Sequence, residues 1–304
     1  MNEKISIIMS AYKPTREGIF RSIKSVLSQT LTNFEFIIIN DDNTLETQNL
    51  LNEINCLDNR VKIITNKKNI GLVKSLNKGL KYAEGTIIAR IDVDDWWEPE
   101  KLERQYKYML INKLDLLGTA TNFVDEQLCL INFEYLDNIK EQLLLGKNPF
   151  VHSSVMFRKK DNFFYNTKAL YTEDFELWCR YYLDGKIGYL NEKLTYYVVD
   201  NSGITGSKRY LMFRNSVEIY KNFTHILLSN EKKQKKLISN PLIEMNLFEK
   251  FSNYFLNKAQ TSKINKNRKS FYFFSFLSLF INPKLIYFLL LRKYYNYLIK
   301  SEYN

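Results

Sequence analysis

Residues 92–95 read Asp-Val-Asp-Asp and follow directly on an apolar run at 86–91. Alternate residues of an extended segment point the same way, so Asp92 and Asp94 are expected on one side. Two carboxylates that close repel unless a cation lies between them. A hard divalent ion such as Mg²⁺ or Mn²⁺ accepts carboxylate oxygens and bridges to phosphates. The same residue types also suit a turn or the cap of a helix near 98–105, because acidic groups are favoured at helix N-termini. A second pair, Asp41-Asp42, ends another apolar run. It reads either as hydrogen-bonding recognition of a base or ribose, or as a cap or turn. In 172–180, Asp174, Leu177 and Trp178 fall at i, i+3 and i+4, so a helix face carrying an aromatic also carries a carboxylate at its N-terminal end. Facing a cleft, Asp174 could act as a general base; otherwise it caps the helix and Trp178 anchors a core. His152 opens 152–157, read as a strand with polar residues at its start and as a substrate contact.

These residues need elements to position them. Short apolar runs at 5–9, 34–39, 61–64 and 86–91 read as buried strands. Between them, Ile19, Ile23, Val26 and Leu27, then Leu50, Leu51 and Ile54, then Leu72, Leu76 and Leu80 recur at helical spacing. Alternating strands and helices with short links predict a mostly parallel sheet covered by helices on both faces. In such sheets ligands bind at the carboxyl ends of the strands, so both acidic clusters should open into one site.

Composition narrows the classes. The 304 residues are 45% hydrophobic and 25% charged, an ordinary globular balance for one large domain or two smaller ones. Ten Gly and five Pro exclude collagen-like architecture, and two His exclude a multi-histidine zinc site. Three cysteines at no metal-site spacing suit a reducing compartment. There is no Gly-x-Gly-x-x-Gly after the first strand and no Gly-Lys-Ser/Thr loop, so dehydrogenase-type and Walker-type nucleotide sites are unsupported. The N-terminus leads straight into the first strand and is too short for a secretory signal.

The net charge of +11 is concentrated. Residues 1–206 carry 26 basic and 28 acidic residues, a net of −2, whereas 207–304 carry 18 and 5, a net of +13. Such asymmetry suits a polyanionic partner, nucleic acid or an anionic membrane surface. The C-terminal aromatics lie in apolar runs at 271–281 and 285–291, behind an amphipathic helical pattern at 242–256. Apolar runs flanked by Lys and Arg favour lipid over stacked bases, hence no nucleic acid. Neither run reaches the roughly 20 residues of a membrane span, and Asn282-Pro283-Lys284 separates them.

The motifs also have an order. Ser10-Ala11-Tyr12-Lys13-Pro14, Asn40-Asp41-Asp42-Asn43, Asn69-Ile70-Gly71, Asp92-Val93-Asp94-Asp95-Trp96, His152-Ser153-Ser154-Val155-Met156 and Glu173-Asp174-Phe175-Glu176-Leu177-Trp178 succeed one another. This succession resembles the family 2 glycosyltransferases of GT-A fold over residues 4 to about 205, many of which act in bacterial O-antigen and capsule assembly. The resemblance implies an α/β, Rossmann-like GT-A domain over 1–206, followed by a helical, basic and aromatic region over 207–304. It implies a nucleotide-sugar donor, usually UDP-linked, an inverting mechanism, and Mn²⁺ or Mg²⁺ as cofactor. Carried over by motif, Ser10, Tyr12, Asp41, Asp42 and Lys74 would hold the nucleotide, Asp92 the ribose or sugar, and Asp94 the metal. Asp174 would be the base, with His152, Glu173 and Trp178 lining the donor or acceptor cleft.

Two motifs depart from the family pattern. Met9-Ser10-Ala11-Tyr12-Lys13 stands where Pro-Thr/Ser-Tyr-Asn is usual, and Asn43-Thr44 where Gly-Ser usually follows the two Asp. The Gln-x-x-Arg-Trp motif of processive synthases is absent, which implies single additions. The expected partners are a glycan or polyprenyl-pyrophosphate-linked acceptor and an anionic membrane surface, with a homo-oligomer allowed. The expected location is the inner face of the cytoplasmic membrane. The alternative is a non-catalytic nucleotide-binding or scaffold protein on the same fold, against which intact Asp92, Asp94 and Asp174 argue.

Overall fold

A computed structural model describes residues 3–131, 139–144, 146–199, 208–229, 237, 249, 253–256, 258–259, 267–281, 289–291, 293–294 and 297. Contacts divide the chain into two compact units that interleave along the sequence. The first comprises Met1–Val124, Phe150–Tyr165 and Gly185–Val198; the second comprises Asp125–Pro149, Asn166–Asp184 and Val199–Asn304.

The first unit is built on strands β1 (Ile5–Ala11), β2 (Phe34–Asn40), β3 (Val61–Thr65), β4 (Ile87–Arg90), β5 (Trp96–Trp97), β6 (Leu116–Val124), β8 (Met156–Arg158) and β9 (Ile187–Val198). The two-residue β7 (Leu130–Ile131) falls in the second unit. The sheet order is β3-β2-β1-β4-β8-β6-β9-β5. The β3-β2-β1-β4 half is parallel throughout. β8 then inserts antiparallel to both β4 and β6, while β6 and β9 pair in parallel. Every residue of β2 is buried, the signature of a parallel strand covered on both faces.

Helices α1 (Arg16–Leu27), α2 (Leu45–Asn55), α3 (Leu72–Tyr82) and α4 (Lys101–Ile111) supply that cover. Ile19, Ile23 and Val26 of α1, Leu50, Leu51 and Ile54 of α2, and Leu102 and Met109 of α4 pack on one face of the sheet against Ile7, Met9, Phe36, Ile38 and Ala89. Burying each such side chain contributes roughly 1.5–3 kcal/mol before chain entropy is counted. α3 packs on β1 and β2 from the other face. It comes so close that a Cβ on Gly79 would sit 2.6 Å from Ile8 Cγ2. The ends are set by local chemistry: Thr15 Oγ1 accepts from Gly18 N and Thr44 Oγ1 from Thr47 N, the N-cap bonds of α1 and α2.

The sequence predicts a strand over 152–157, but residues 152–154 form a 3₁₀ turn and only 156–158 are strand. The two serines explain the difference. The amide and hydroxyl of Ser154 both bond the Val151 carbonyl, closing a turn in place of a ladder.

The second unit contains α5 (Ile139–Leu144), α6 (Glu173–Asp184), α7 (Arg209–Leu228) and α8 (Arg268–Ile281). α6 packs against α7. Phe175, Leu177, Trp178 and Tyr181 on α6, with Leu211, Ile219, Tyr220 and Phe223 on α7, are buried. Glu176, fully buried, ion-pairs with Arg180 at 2.8 Å and accepts from the Leu237 amide at 3.1 Å. The helix expected over 242–256 lies outside the described residues apart from 249 and 253–256, as do 285–288 of the second apolar run.

Candidate active site

β1 lies between β2 and β4, so the loops leaving the carboxyl ends of β1, β2 and β4 are neighbours. These loops carry Tyr12, Asp41-Asp42 and residues 92–95.

The acidic loop is the most strongly held. β4 ends at Arg90, so 92–95 leave the sheet and do not alternate as strand residues. On the α1 side, the Ser22 hydroxyl lies 2.7 Å from the Val93 carbonyl and 2.5 Å from that of Asp95, and Arg21 Nη2 donates to the Asp94 carbonyl at 2.9 Å. On the β8 side, Ser153 Oγ accepts from the Asp92 amide at 2.9 Å. The same hydroxyl lies 3.2 Å from Asp92 Oδ2 and bonds Asp95 Oδ2. Asp95 is fully buried, and its second oxygen accepts from the Val198 amide at 3.0 Å. Arg90, buried beneath the loop, donates to Asp92 Oδ1 at 2.5 Å.

The electrostatics follow from this crowding. Burial, and then the charge of Asp92, push Asp94 up to about 6. Burial, then Asp94 and Asp92, raise Asp95 well above the usual carboxylate range. Burial opposes the charge on Arg90, but Asp92, Tyr165 and Asp95 together outweigh it and raise the guanidinium pKa. Burial and the neighbouring charges thus disfavour the ionised forms of Asp94 and Asp95, the condition a divalent cation relieves. Among the described residues no group of three His, Cys, Asp or Glu is arranged to hold a metal. A divalent cation here would have one or two of these carboxylates to hold it, the usual habit of Mg²⁺.

Asp41 and Asp42 are committed to local structure. Asp41, almost wholly buried, accepts from Asn66 Nδ2, Ile70 N and Gly71 N, each at 2.8 Å, fixing the turn into α3. Gly71 at φ +84° makes that turn and leaves α3 without a side-chain cap. Asp42 accepts from Thr47 Oγ1 at 2.7 Å and Thr44 Oγ1 at 2.9 Å, at the start of α2. Burial opposes its charge, but these bonds and the amides of Thr44 and Lys13 outweigh it and hold its pKa low. Both carboxylates therefore perform the capping work their residue types allow. Tyr12 is half exposed, Ser10 is partly exposed, and Lys74 is exposed in the first turn of α3.

His152 Nε2 lies 2.8 Å from the Tyr165 hydroxyl. Burial and the neighbouring Arg90 charge push its pKa well below the usual imidazole value, keeping the ring neutral. In the second unit, Asp174 Oδ2 accepts from Asn148 Nδ2 at 2.6 Å and Oδ1 from the Phe175 amide at 2.7 Å. Glu173 is buried beside it in sequence. Trp178 has no exposed surface; it anchors α6 in the core and presents nothing to a cleft, unlike its expected place there.

Four residues that shape the loop had no role assigned from sequence: Ser22 and Arg90, and Asp95 and Ser153, which stood in the motifs without one. Arg90 carried a signal, a cation at the end of an otherwise apolar strand two residues before Asp92. Ser22 and Ser153 carried none, because nothing local links them to residues about 60–75 positions away.

Comparison with known proteins bears on the family and the fold. The family described as "Glycosyl transferase family 2" matches residues 6–175. The chain is 35% identical over 191 residues to the O-antigen biosynthesis glycosyltransferase WbnJ of Escherichia coli, covering 59% of this chain and 71% of that protein. It is 30% identical over 187 residues to the E. coli UDP-Glc:alpha-D-GlcNAc-diphosphoundecaprenol beta-1,3-glucosyltransferase WfgD, covering 62% and 73%. Among solved structures, S. aureus TarS 1–349 in complex with UDP-GlcNAc superposes with a TM-score of 0.57 at 14% identity, over 90% of each chain, a likeness of fold.

Proposed function

The chain belongs to glycosyl transferase family 2, and from that premise we propose that it is an inverting, single-addition transferase. It moves a sugar from a UDP-sugar to a hydroxyl of a glycan or a polyprenyl-pyrophosphate-linked saccharide, in the assembly of a surface polysaccharide. The observation that carries the reading is the Asp92–Asp95 loop, pinned at the carboxyl end of β4 beside the β1 and β2 loops. Support for donor and acceptor comes from WfgD, whose name states a UDP-glucose donor and a diphosphoundecaprenol-linked acceptor.

In this reading Asp94, with Asp92 beside it, holds Mn²⁺ or Mg²⁺. When bound, such an ion supplies charge stabilisation for a departing diphosphate. Tyr12, Ser10 and Lys74 face the nucleotide, and Asp41 and Asp42 hold the two loops that frame it. Asp174 accepts the proton of the acceptor hydroxyl as its oxygen bonds the anomeric carbon. The bond to the diphosphate breaks on the opposite face, the nucleoside diphosphate leaves with the electron pair, and the anomeric configuration inverts. The basic C-terminal third holds the enzyme on the anionic inner face of the cytoplasmic membrane, where a lipid-linked acceptor is presented.

The test is a screen of nucleotide sugars for UDP release, with Mn²⁺ and a lipid-pyrophosphate sugar acceptor. Acceptor-dependent release with one donor is expected, and the product's anomeric configuration reads inversion directly. Release with none of the donors, from a chain that still binds UDP, would favour the non-catalytic reading.

A further inference from the structure

The acidic loop has an unusual anchor. Ser153 is fully buried, and its single hydroxyl meets the loop at three points: the Asp92 amide, the Asp92 carboxylate and the Asp95 carboxylate. Its own carbonyl accepts from Trp97 Nε1 at 2.9 Å, so the residue is fixed from the far side of the loop as well. The next residue is tied down independently: Gln105 Nε2 donates to the Ser154 carbonyl at 2.9 Å and to the Leu117 carbonyl at 2.7 Å. The 152–154 turn is thus a rigid post bonded to α4, and Ser153 is where that post grips the loop.

We propose that Ser153 is a positioning residue for the divalent cation, a proposal that rests on the metal reading above. Its hydroxyl sets the direction of the Asp92 carboxylate and holds Asp95 inward. The loop then presents Asp92 and Asp94 to the ion and keeps Asp95 out of its reach. Ser22 and Arg21 bond only carbonyl oxygens of the loop, whereas Ser153 also contacts carboxylate oxygens. Removing the hydroxyl leaves the loop anchored at its backbone, and leaves Asp92 held through Oδ1 by Arg90 and Asp95 through Oδ1 by the Val198 amide, but takes away the one group that bonds the second oxygen of both. Groups that orient metal ligands in this way typically govern ten- to a hundredfold in affinity.

The experiment titrates Mn²⁺ into the full-length chain, with and without UDP, and reads bound ion by electron paramagnetic resonance. Ser153→Ala is compared with wild type and with Ser153→Thr, which keeps the hydroxyl. Expected is a rise of about ten- to a hundredfold in the Mn²⁺ dissociation constant for Ser153→Ala, largely restored in Ser153→Thr. UDP release by Ser153→Ala should recover as Mn²⁺ is raised. Should the alanine chain fail to fold, Ser153→Cys, close in size and a weak donor, carries the same comparison. Wild-type Mn²⁺ affinity in a folded Ser153→Ala or Ser153→Cys chain overturns the Ser153 assignment alone. A wild-type chain that binds no Mn²⁺ overturns the metal reading and this proposal with it.

Discussion

Asp94 pays for its position in stability. A carboxyl pushed up to about 6 by burial and by Asp92 is one the fold would rather keep neutral. Asp94→Asn removes that conflict, so in chelator the variant should unfold at a temperature equal to or above that of wild type. Its transfer activity should drop by about two to three orders of magnitude, the scale on which a lost electrostatic stabiliser is felt. A variant that unfolds early, or that works at full rate, would show that Asp94 holds structure rather than an ion. Asp174 makes a different demand. Its two oxygens take bonds from Asn148 and the Phe175 amide. Asp174→Asn keeps the shape and abolishes proton acceptance, so turnover should fall at least about a hundredfold. UDP binding by calorimetry should barely change. Normal turnover in this variant would move the base elsewhere, with Glu173 next in line.

At the scale of elements, the parallel half of the sheet carries an ion network of its own. Glu35 of β2 is buried and accepts from Ser6 of β1 at 2.6 Å, Lys62 of β3 at 2.8 Å and the Glu84 amide at 2.8 Å. Glu84, exposed, pairs with Lys4 and Lys62. Burial opposes the charge on Glu35, but Lys62, Ser6 and the Glu84 amide outweigh it and leave its pKa below 4.5; Lys4 and Lys62 bring Glu84 to about 2. Carboxylates with depressed pKa contribute stability that is complete above their unfolded value and lost as pH falls through the folded one. The stability gap between wild type and Lys62→Met should therefore be full at pH 7 and narrow between about 4.5 and 2. Denaturant titrations across that range measure it, and a gap that stays constant would mean Lys62 acts by packing alone. Elements of this kind were largely legible in the sequence. β1 to β4 and α1 to α3 follow from apolar periodicity, since a strand covered on both faces is mostly apolar, Ser6 and Glu35 being buried exceptions that bond each other. The 152–154 turn was not legible, because two serine hydroxyls redirect a segment whose following residues, Val155-Met156-Phe157, still read as strand. Nor was the local role of Asp41 and Asp42: residue type admits both capping and ligand contact, and only the partners at Asn66, Gly71 and Thr47 show the caps in place.

At the scale of the whole molecule, the basic excess and most of the exposed aromatics among the described residues fall in the same part of the chain. α8 exposes Tyr272, Phe273 and Phe276 by 68%, 59% and 63%, positions i, i+1 and i+4 on one face of the helix. Lys269 is exposed at its start. Fourteen residues at 1.5 Å rise span roughly 21 Å, short of the roughly 30 Å of a bilayer core. Among the described residues no helix is long and apolar enough to cross a membrane. A short helix with an aromatic face, in a region of net +13, suits the plane of the lipid–water interface. Each Lys or Arg near an anionic leaflet contributes about 1 kcal/mol, fading beyond the Debye length of about 10 Å at 0.1 M salt. The full chain should therefore float with anionic liposomes, weakly with neutral ones, and less as salt rises. Replacing Tyr272, Phe273 and Phe276 together by Gln touches only exposed side chains, so the fold and UDP binding should survive while flotation falls several-fold. The residual attraction should become more sensitive to salt, because charge alone then holds the protein to lipid. Equal flotation of the triple variant and the wild type would transfer the anchor to another surface. Absence of flotation for both would assign the aromatic face of α8 to contact with protein.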